Sequence, residues 1–379
     1  MHRAYLDHAS TSPLRPAALE AMLPYLSEHH GDPGRLHAEG RATRVAIEQA
    51  REHVAALLDA RPREVVFTSG GTEAINTAIW GACARSSDGT GTGHIVTTAV
   101  EHSAVLDACM RSGLGVMAVG VDRRGRFDPD DVAAAVRDDT VLVTVQLANH
   151  EVGTIQPVAA VVAATRARDV LVHVDACAAV GHVPVAFHGL DADLCSVTAH
   201  KLGGPKGIGA LLVRRGLRLD PFVVGGAQER ARRGGLENVP AIVGFGAAAA
   251  ALLDGGLERE RAAEQVLTDR LATTTLETVA GVERFGDPDD ALPNLVCLGI
   301  DGVEAEPILL GLDQRGVAVH SGSSCSSEAL EPSPVLEAMG VDADRSLRAS
   351  VGWSSMEADV DAFLEAFPQV VDRLRALRT

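Results

Sequence analysis

Short apolar runs alternate with helical stretches along most of the chain, beginning near residue 62. The runs VVFTSG, HIVTTA, VMAVGV and VLVHVDA are almost continuously apolar, and most are followed by a stretch such as TEAINTAIWGACAR with helical periodicity. Strands that are apolar throughout are typical of a sheet buried on both sides, and strand–helix alternation is typical of parallel pairing. The pattern therefore predicts an α/β fold, with a mainly parallel sheet and helices on both faces.

The pattern changes after about residue 256. Charged helical stretches come first, then the apolar runs NLVCLGI, VAVHSG and LRASVG, and finally an amphipathic C-terminal helix. We interpret this part as a smaller α+β domain against which the N-terminus packs. The sequence thus predicts a large domain over residues 14–255 and a small domain formed by residues 1–13 and 256–379.

Composition narrows the class of protein. The 379 residues are 46% hydrophobic and 22% charged, which is ordinary for a globular protein. A formal net charge of −17 argues against a general binder of nucleic acids or membrane surfaces. No apolar run approaches the roughly 18 residues of a transmembrane helix, and MHRAYLDHAS lacks the apolar core of a signal peptide, so we expect a cytoplasmic protein.

Cysteine and histidine usage gives no sign of a metal site. The six cysteines include no CxxC pair, which fits a reducing compartment without a disulfide framework. His29, His30 and His37 lie close together, but their spacing is irregular and no acidic cluster accompanies them. We therefore expect no bound metal.

The two lysines of the chain, Lys201 and Lys206, both lie in AHKLGGPKG, whereas every other basic residue is arginine. An amine can lose its proton and attack a carbonyl group, but a guanidinium does not deprotonate in proteins. Lys206 follows Gly–Gly–Pro in a predicted turn, where an exposed charge is the simpler interpretation. The sequence around the two lysines does not by itself show which of them would bond to a carbonyl group.

A lysine that bonds to pyridoxal phosphate needs an acid beside the pyridine nitrogen and a phosphate-binding turn. Asp175 ends the apolar run LVHVD, although a helix-capping role is equally compatible with its position. The turn SGGTE, with Gly71 and Thr72, precedes a predicted helix whose amides favour an anion, but many such turns bind nothing. Thr198 and His200 flank the lysine and offer further phosphate contacts.

Three more side chains are candidates for the same chemistry. His102 follows a predicted strand and is placed to stack on a cofactor ring, or merely to start a helix. Cys325 lies in SGSSCSS, among small polar residues, which favours an accessible thiol over a buried one. Arg348 alternates with apolar residues on a predicted strand, where it either binds a substrate carboxylate or lies on the surface.

Taken in order, these segments resemble the cysteine desulfurases of the nitrogen-fixation and iron–sulfur-cluster type (NifS/IscS-like). That group belongs to the class V aminotransferases, which are fold-type I enzymes dependent on pyridoxal 5′-phosphate. The resemblance covers nearly the whole chain, and its motifs are YLDHASTSP, FTSGGTEAIN, EHSAVLDAC, ANHEVGT, HVDA, TAHK, GGPKGIGALLVRRG, GGAQER, ENVPAIVGFG, SGSSC and LRASVG.

The resemblance implies a role for each candidate. Lys201 is expected to bond to the cofactor's aldehyde, Cys325 to accept sulfur, and His102 to stack on the ring and act in acid–base chemistry. Asp175 is the expected partner of the pyridine nitrogen. The remaining expected contacts are Gly71, Thr72, Thr198 and His200 to the cofactor, and Arg348 and Asn149 to the substrate.

Three positions depart from the family's pattern. His150 stands in ANHEVG where the family commonly has a second asparagine, and Ala178 stands in DACA where it has a glutamine. Leu236, in GGLENV, replaces a threonine that reaches the phosphate from the partner subunit. We expect His150 to contact the cofactor in place of the missing glutamine.

The implied reaction converts L-cysteine to L-alanine and leaves a persulfide on Cys325 for transfer to an acceptor protein. The acceptor classes are an iron–sulfur scaffold, a tRNA-thiolation component and a DNA sulfur-modification component. A homodimer is implied by the resemblance alone. The alternatives are an aminotransferase or a cysteine or selenocysteine β-lyase that does not use Cys325, and an inactive, partner-binding member of the family. A nicotinamide-dependent oxidoreductase is a further alternative, but this sequence lacks the GxGxxG motif with which such enzymes bind the dinucleotide.

Overall fold

The computed structural model of the chain describes residues 3–86, 93–168, 170–321 and 332–377. The strands of the described residues are β1 (Ala4–Tyr5), β2 (Val65–Thr68), β3 (His94–Thr98), β4 (Gly115–Val119), β5 (Thr140–Gln146), β6 (Leu171–Asp175), β7 (Leu194–Thr198), β8 (Gly209–Val213), β9 (Val282–Phe285), β10 (Leu295–Ile300), β11 (Val317–Ala318) and β12 (Ser346–Ser350).

The helices alternate with these strands over the first two thirds of the chain. They are α1 (Pro16–Ser27), α2 (Ala38–Leu57), α3 (Gly71–Ser86), α4 (Ser103–Arg111), α5 (Pro129–Ala135), α6 (Val158–Thr165), α7 (Phe187–Leu190), α8 (Gln228–Ala231), α9 (Val239–Ala250), α10 (Gly256–Thr278), α11 (Ala305–Asp313), α12 (Pro334–Ala338) and α13 (Glu357–Ala376).

Several helices begin at a residue that caps them. The side chains of Asp128, Asn238 and Ser333 accept backbone N–H groups at the starts of α5, α9 and α12, and a proline occupies the first or second position of each helix. Capping groups satisfy amides that the helix itself leaves without a partner, and proline is tolerated there because it lacks an N–H. Local sequence thus fixes where these helices start.

The main sheet of the described residues has seven strands in the order β2-β8-β7-β6-β5-β3-β4. Strand β8 runs antiparallel to both of its neighbours, β2 and β7, and the other pairs in this sheet are parallel. Alternate residues of the strands belong to different apolar clusters. Val96 and Val143 pack in one cluster with α2, α6 and α9, whereas Ile95 and Leu142 pack in another with α3 and α4. The predicted parallel sheet with helices on both faces is therefore confirmed.

The remaining strands form two smaller sheets. Strands β12, β10 and β9 make an antiparallel sheet, and β1 pairs in parallel with β11. Their apolar residues form one cluster with α10, α11 and α13. The N-terminal strand thus packs with the C-terminal part of the chain, while the predicted boundaries at residues 13 and 255 stay a prediction.

Within the described ranges, no helix is both long enough and apolar enough to span a lipid bilayer.

A buried ion pair connects α2 to the main sheet. Both Nη atoms of Arg51 donate to the carboxylate of Glu229 at 2.7 Å, and the same carboxylate accepts the N–H of Phe67 in β2 at 2.9 Å. Both side chains are 3% exposed. Glu229, Arg230 and Ala231 have φ values of 46°, 59° and 63°, so α8 is a left-handed turn of non-glycine residues. The pair holds this unfavourable turn against the sheet.

We predict that Arg51→Met lowers the free energy of unfolding by about 3–5 kcal/mol, because it leaves the buried Glu229 charge without its partner. Denaturant unfolding followed by circular dichroism measures the change. Arg137→Met, which removes an exposed pair with Asp139, is the matched control and should have a small effect. Equal losses in the two variants would contradict the assigned importance of the buried pair.

Candidate active site

A cavity of about 240 Å³ opens at the carboxyl end of the main sheet. Open α/β sheets characteristically bind ligands at this edge. The predicted site residues that line the cavity are Gly71, Thr72, His102, His150, Asp175, Thr198, His200, Lys201 and Arg348. Cys325, the remaining catalytic candidate, lies outside the described residues. The structure therefore brings together groups that are scattered over more than 270 positions of sequence.

The ends of three neighbouring strands supply the floor of the cavity. Gln146, Asp175 and Thr198 are the last residues of β5, β6 and β7, and the strand register places Gln146 opposite Asp175. Asp175 is 6% exposed, and its Oδ1 accepts the N–H of Cys177 at 3.0 Å. The carboxylate therefore caps the following turn and also lines the cavity, while its role toward a pyridine nitrogen stays a prediction.

The start of α3 supplies the anion-binding part of the cavity. A Cβ atom on Gly71 would lie 2.6 Å from the Sγ of Cys177, so only glycine fits at this position. Thr198 faces the same region, and its buried Oγ1 has no hydrogen-bond partner among the described residues. Backbone amides at a helix N-terminus together with a hydroxyl group that lacks a partner are suited to an incoming phosphate.

The two lysines lie in different cavities. Lys201 lines the cavity that contains Asp175 and Arg348, whereas Lys206 is exposed and lines a neighbouring, more open depression. Burial, followed by the charges of both lysines, lowers the pKa of His200 to about 4. His200 is therefore neutral near pH 7 and adds no positive charge beside the Lys201 amine.

His102 combines the two roles considered for it. It is the N-cap of α4, where its Nδ1 accepts the N–H of Ala104 at 3.0 Å, and its ring also lines the cavity. The ring packs edge-on against that of His150, with centroids 5.1 Å apart and planes at 61°. The position of His102 at a helix start is thus compatible with a place in the cavity lining, and its stacking on a cofactor ring stays a prediction.

Arg348 is a buried residue rather than a surface strand arginine. It is 1% exposed, and its Nη1 donates to the backbone oxygen of His150 at 2.8 Å. Its Nη2 donates to Asp7 Oδ1 at 3.0 Å and to Ser10 Oγ at 2.7 Å. The Nε has no partner among the described residues, so one donor of the guanidinium stays available to a carboxylate.

Asn149, which the resemblance assigns to the substrate, is fully buried and is not among the residues that line the cavity, so its substrate role stays a prediction. Its side-chain amide donates to Val100 at 3.1 Å, and its Oδ1 accepts the N–H groups of Glu151 at 2.8 Å and Val152 at 2.9 Å. All of its hydrogen bonds support the backbone that carries His150, so the structure gives it a supporting position.

Comparison with known proteins agrees with this geometry. The family model described as aminotransferase class-V matches residues 4–363. The chain is 42% identical to a protein named cysteine desulfurase IscS from Dictyoglomus turgidum, over 98% of this chain and 95% of that one. It is also 42% identical to a cysteine desulfurase from Cereibacter sphaeroides, over 100% and 98% of the two chains. This protein belongs to the class-V aminotransferase family.

Solved structures of class-V aminotransferases and related proteins share the fold. A NifS-like protein superposes with a TM-score of 0.91 at 32% identity, covering 98% of this chain and 100% of that one. A structure titled SspA in complex with cysteine gives a TM-score of 0.81 at 30% identity, covering 93% and 100%. The predicted fold-type I architecture is confirmed.

The class-V family consists of enzymes that use pyridoxal phosphate, and the cavity fits that cofactor. The unpartnered Thr198 hydroxyl and the start of α3 suit its phosphate, Asp175 suits its protonated pyridine nitrogen, and Lys201 suits its aldehyde. The described residues contain no cluster of histidine, cysteine and acidic side chains able to hold a metal ion.

The departures from the class-V pattern have distinct positions. His150 and Ala178 both line the cavity, whereas Leu236 is 65% exposed. His150 itself is 7% exposed, and its Nε2 lies 3.5 Å from Glu151 Oε1. Two of the three changes therefore alter the lining of the site, and the third lies on the surface.

Glu101 is a buried acid next to the site that sequence reasoning missed, and it accepts the N–H of Gln146, which lines the cavity. It is 3% exposed, its Oε1 accepts the Thr98 hydroxyl at 2.6 Å and the Gln146 N–H at 3.0 Å, and its Oε2 has no partner among the described residues. Burial raises its pKa to about 8. The only signal was an acidic residue directly before His102 at a strand end, which is too common to single out.

We predict that Glu101→Gln makes the stability of the protein less sensitive to a rise in pH between about 4.5 and 8. Folding raises the pKa of Glu101 from its ordinary value of 4.5 to about 8, so the folded chain holds this proton more tightly than the unfolded chain. The free energy of unfolding therefore falls as the pH rises across that range. Glutamine cannot ionise, and the variant should gain stability relative to the wild type over the same range.

Denaturant unfolding at a series of pH values measures this difference, with Glu20→Gln on the exposed face of α1 as the control. Parallel stability curves for the wild type and Glu101→Gln would show that Glu101 is ionised in the folded protein.

Proposed function

We propose that this protein is a cysteine desulfurase. It binds pyridoxal 5′-phosphate, converts L-cysteine to L-alanine and collects the sulfur as a persulfide on Cys325. One observation carries the proposal: a single cavity unites the Lys201 amine, the Asp175 carboxylate, a helix N-terminus and the Arg348 guanidinium. The 42% identity, over nearly the whole chain, with proteins named cysteine desulfurase points to the same reaction.

When bound, pyridoxal phosphate supplies an electron-withdrawing ring that stabilises the charge left when a bond to the substrate's α-carbon breaks. Lys201 would hold the aldehyde, and the Asp175 carboxylate would keep a proton on the pyridine nitrogen. Thr72, Thr198 and His200 would hold the phosphate at the start of α3. His102 would lie against the ring, with Nε2 as its donor because its Nδ1 accepts the N–H of Ala104.

Arg348 fixes the substrate through its carboxylate. Its guanidinium is immobilised by Asp7, Ser10 and the His150 carbonyl, so a carboxylate bound at this point has a defined orientation. Burial removes competing water and strengthens the attraction. The α-carbon of the substrate is thereby presented to Lys201, whose amine takes and returns the α-proton.

Cys325 accepts the sulfur. Its thiolate attacks the substrate sulfur, a sulfur–sulfur bond forms, and the bond from sulfur to the β-carbon breaks, so that alanine leaves after protonation. Both sides of the segment 322–331 are attached beside the cavity. His320 pairs with Arg348 through two backbone hydrogen bonds, and Ser333 donates to Glu151 next to His150. This attachment supports a thiol that reaches the substrate from the rim.

The proposal includes a homodimer located in the cytoplasm, with a sulfur-acceptor protein as partner. Two exposed apolar side chains, Val224 (76% exposed) and Leu236 (65%), lie on segments joined by the hydrogen bond from Gly234 N–H to Val223 O. We propose that these exposed apolar side chains contact the second chain.

We predict that Lys201→Arg abolishes the visible absorbance of bound pyridoxal phosphate although the positive charge is kept, because arginine cannot bond to the aldehyde. Lys206→Arg is the matched control and should retain the absorbance, since Lys206 lies outside the cavity. Absorption spectra of the two purified variants with added cofactor measure the difference. Covalent cofactor in both variants would refute the assignment of Lys201.

We predict that Cys325→Ser binds the cofactor normally but loses alanine formation from L-cysteine by at least about 100-fold, because serine is a far weaker nucleophile toward sulfur. Cys83→Ser, on α3 away from the cavity, is the control. Alanine and sulfide are quantified together. Full alanine release with free sulfide would instead identify a β-lyase that does not use Cys325, and absence of cofactor binding in the wild type would identify an inactive family member.

A further inference from the structure

A second cavity, of about 990 Å³, lies apart from the active site and shares no lining residue with it. More than half of its lining residues are arginines, namely Arg61, Arg63, Arg215, Arg230 and Arg232. The others are two glutamates, a proline and a glycine. Five guanidinium groups against two carboxylates make this cavity positively charged on a chain whose formal net charge is −17. The cavity therefore attracts anions, whereas the chain as a whole repels them.

The buried carboxylate of the cavity, Glu64, is bound by other groups. Its side chain is 4% exposed, and its Oε2 lies 2.8 Å from His188 Nε2 and accepts the Arg61 N–H at 2.8 Å. Its Oε1 accepts the Arg215 N–H at 3.1 Å. Burial opposes ionisation, but these hydrogen bonds outweigh it and lower the pKa of Glu64. The carboxylate is thus directed to backbone N–H groups and to a histidine, not to the guanidinium groups.

The guanidinium groups have few partners of their own. Arg230 Nη2 lies 3.2 Å from Glu48 Oε2, with both side chains 39% exposed, and Arg232 Nη1 donates to the backbone oxygen of Arg63 at 3.1 Å. The side chains of the other three arginines form no ion pair and no hydrogen bond with any residue that the structure describes. Burial, followed by the charge of Arg230, lowers the pKa of Arg232. An anion in the cavity would offset this repulsion between like charges.

The backbone that carries two of the arginines is held in an unfavourable conformation. Arg230 lies in α8, where three successive non-glycine residues have φ values of 46°, 59° and 63°, and Arg232 follows directly. The buried pair between Glu229 and Arg51 fixes this turn. Left-handed backbone at such residues persists only where the surrounding structure enforces it, and it is concentrated at binding and catalytic sites. The position of these arginines is therefore built into the fold.

The lining suits a compact anion that carries several charges. A guanidinium group matches a phosphate group with two parallel hydrogen bonds. Pro62 is the only lining residue with an apolar side chain, so neither a nucleobase nor an apolar peptide side chain has an aromatic or aliphatic surface to pack on. The volume lies within the range of small-ligand cavities, roughly 300–1,000 Å³. A chain of two or three phosphates concentrates its charge on few atoms and fits these properties.

We propose that this cavity is a binding site for a di- or triphosphate group, which its five arginines hold. The group comes either from an inorganic phosphate chain or from the phosphates of a nucleotide, and the guanidinium groups recognise it in the same way in both cases. The site does not depend on the reaction catalysed at the active site, because the two cavities have no lining residue in common.

Isothermal titration calorimetry with the full chain tests this site. The protein is first saturated with pyridoxal phosphate, so that the anion-binding turn at Gly71 is filled. We expect inorganic triphosphate and ATP each to bind once per chain, adenosine not to bind, and the affinity to fall as salt is added. Arg63→Gln combined with Arg215→Gln should weaken triphosphate binding at least about tenfold, because two charged donors are lost. Arg123→Gln combined with Arg261→Gln removes the same charge from exposed positions outside the cavity and should bind like the wild type.

The results also identify the source of the group and its competitors. Tighter binding of ATP than of triphosphate would identify a nucleotide, and the reverse order an inorganic phosphate chain. Absence of binding to both, or equal affinities in the two double variants, would overturn the inference. So would tighter binding of an oligoglutamate peptide of equal charge, or a changed oligomeric state of the Arg63 and Arg215 double variant in size-exclusion chromatography. Failure of the wild type to bind pyridoxal phosphate would count against the proposed function and not against this site.

Discussion

The buried guanidinium of Arg348 is the interaction on which the arrangement of the site depends. It is 1% exposed, and its three bonded partners come from the N-terminal segment and from the loop after β5. A charge buried this deeply is tolerated only when it is paired and hydrogen-bonded. Asp7, Ser10 and the His150 carbonyl therefore fix β12 of the small sheet to the N-terminal segment and to the loop after β5, beside the cavity.

The large sheet lines the cavity with residues at the ends of its parallel strands. Parallel strands end together, so the last residues of β5, β6 and β7 meet without any direct sequence proximity. Glycine at position 71 then lets the start of α3 approach Cys177 and Thr198 closely. The result is a cavity lined by the Lys201 amine, the Arg348 guanidinium and the Asp175 carboxylate.

Much of this was predictable from local sequence. Apolar strands, the glycine turn and the residues at strand ends indicated both the sheet and the groups at its edge, because each depends on nearby residues. The motif order led to Lys201, Asp175 and Arg348. The burial of Asn149 and its hydrogen bond to Val100 were not predictable from the motif, because both depend on tertiary approach. Glu101 was missed because its raised pKa is a property of burial, which no short motif encodes.

The attachments of His320 to Arg348 and of Ser333 to Glu151 join two separate segments of the chain to the surroundings of one cavity. Arg348 takes part twice, because its backbone pairs with His320 while its guanidinium is held by Asp7 and Ser10. A single substitution at this position would therefore disturb the cavity and the seating of the neighbouring segment together.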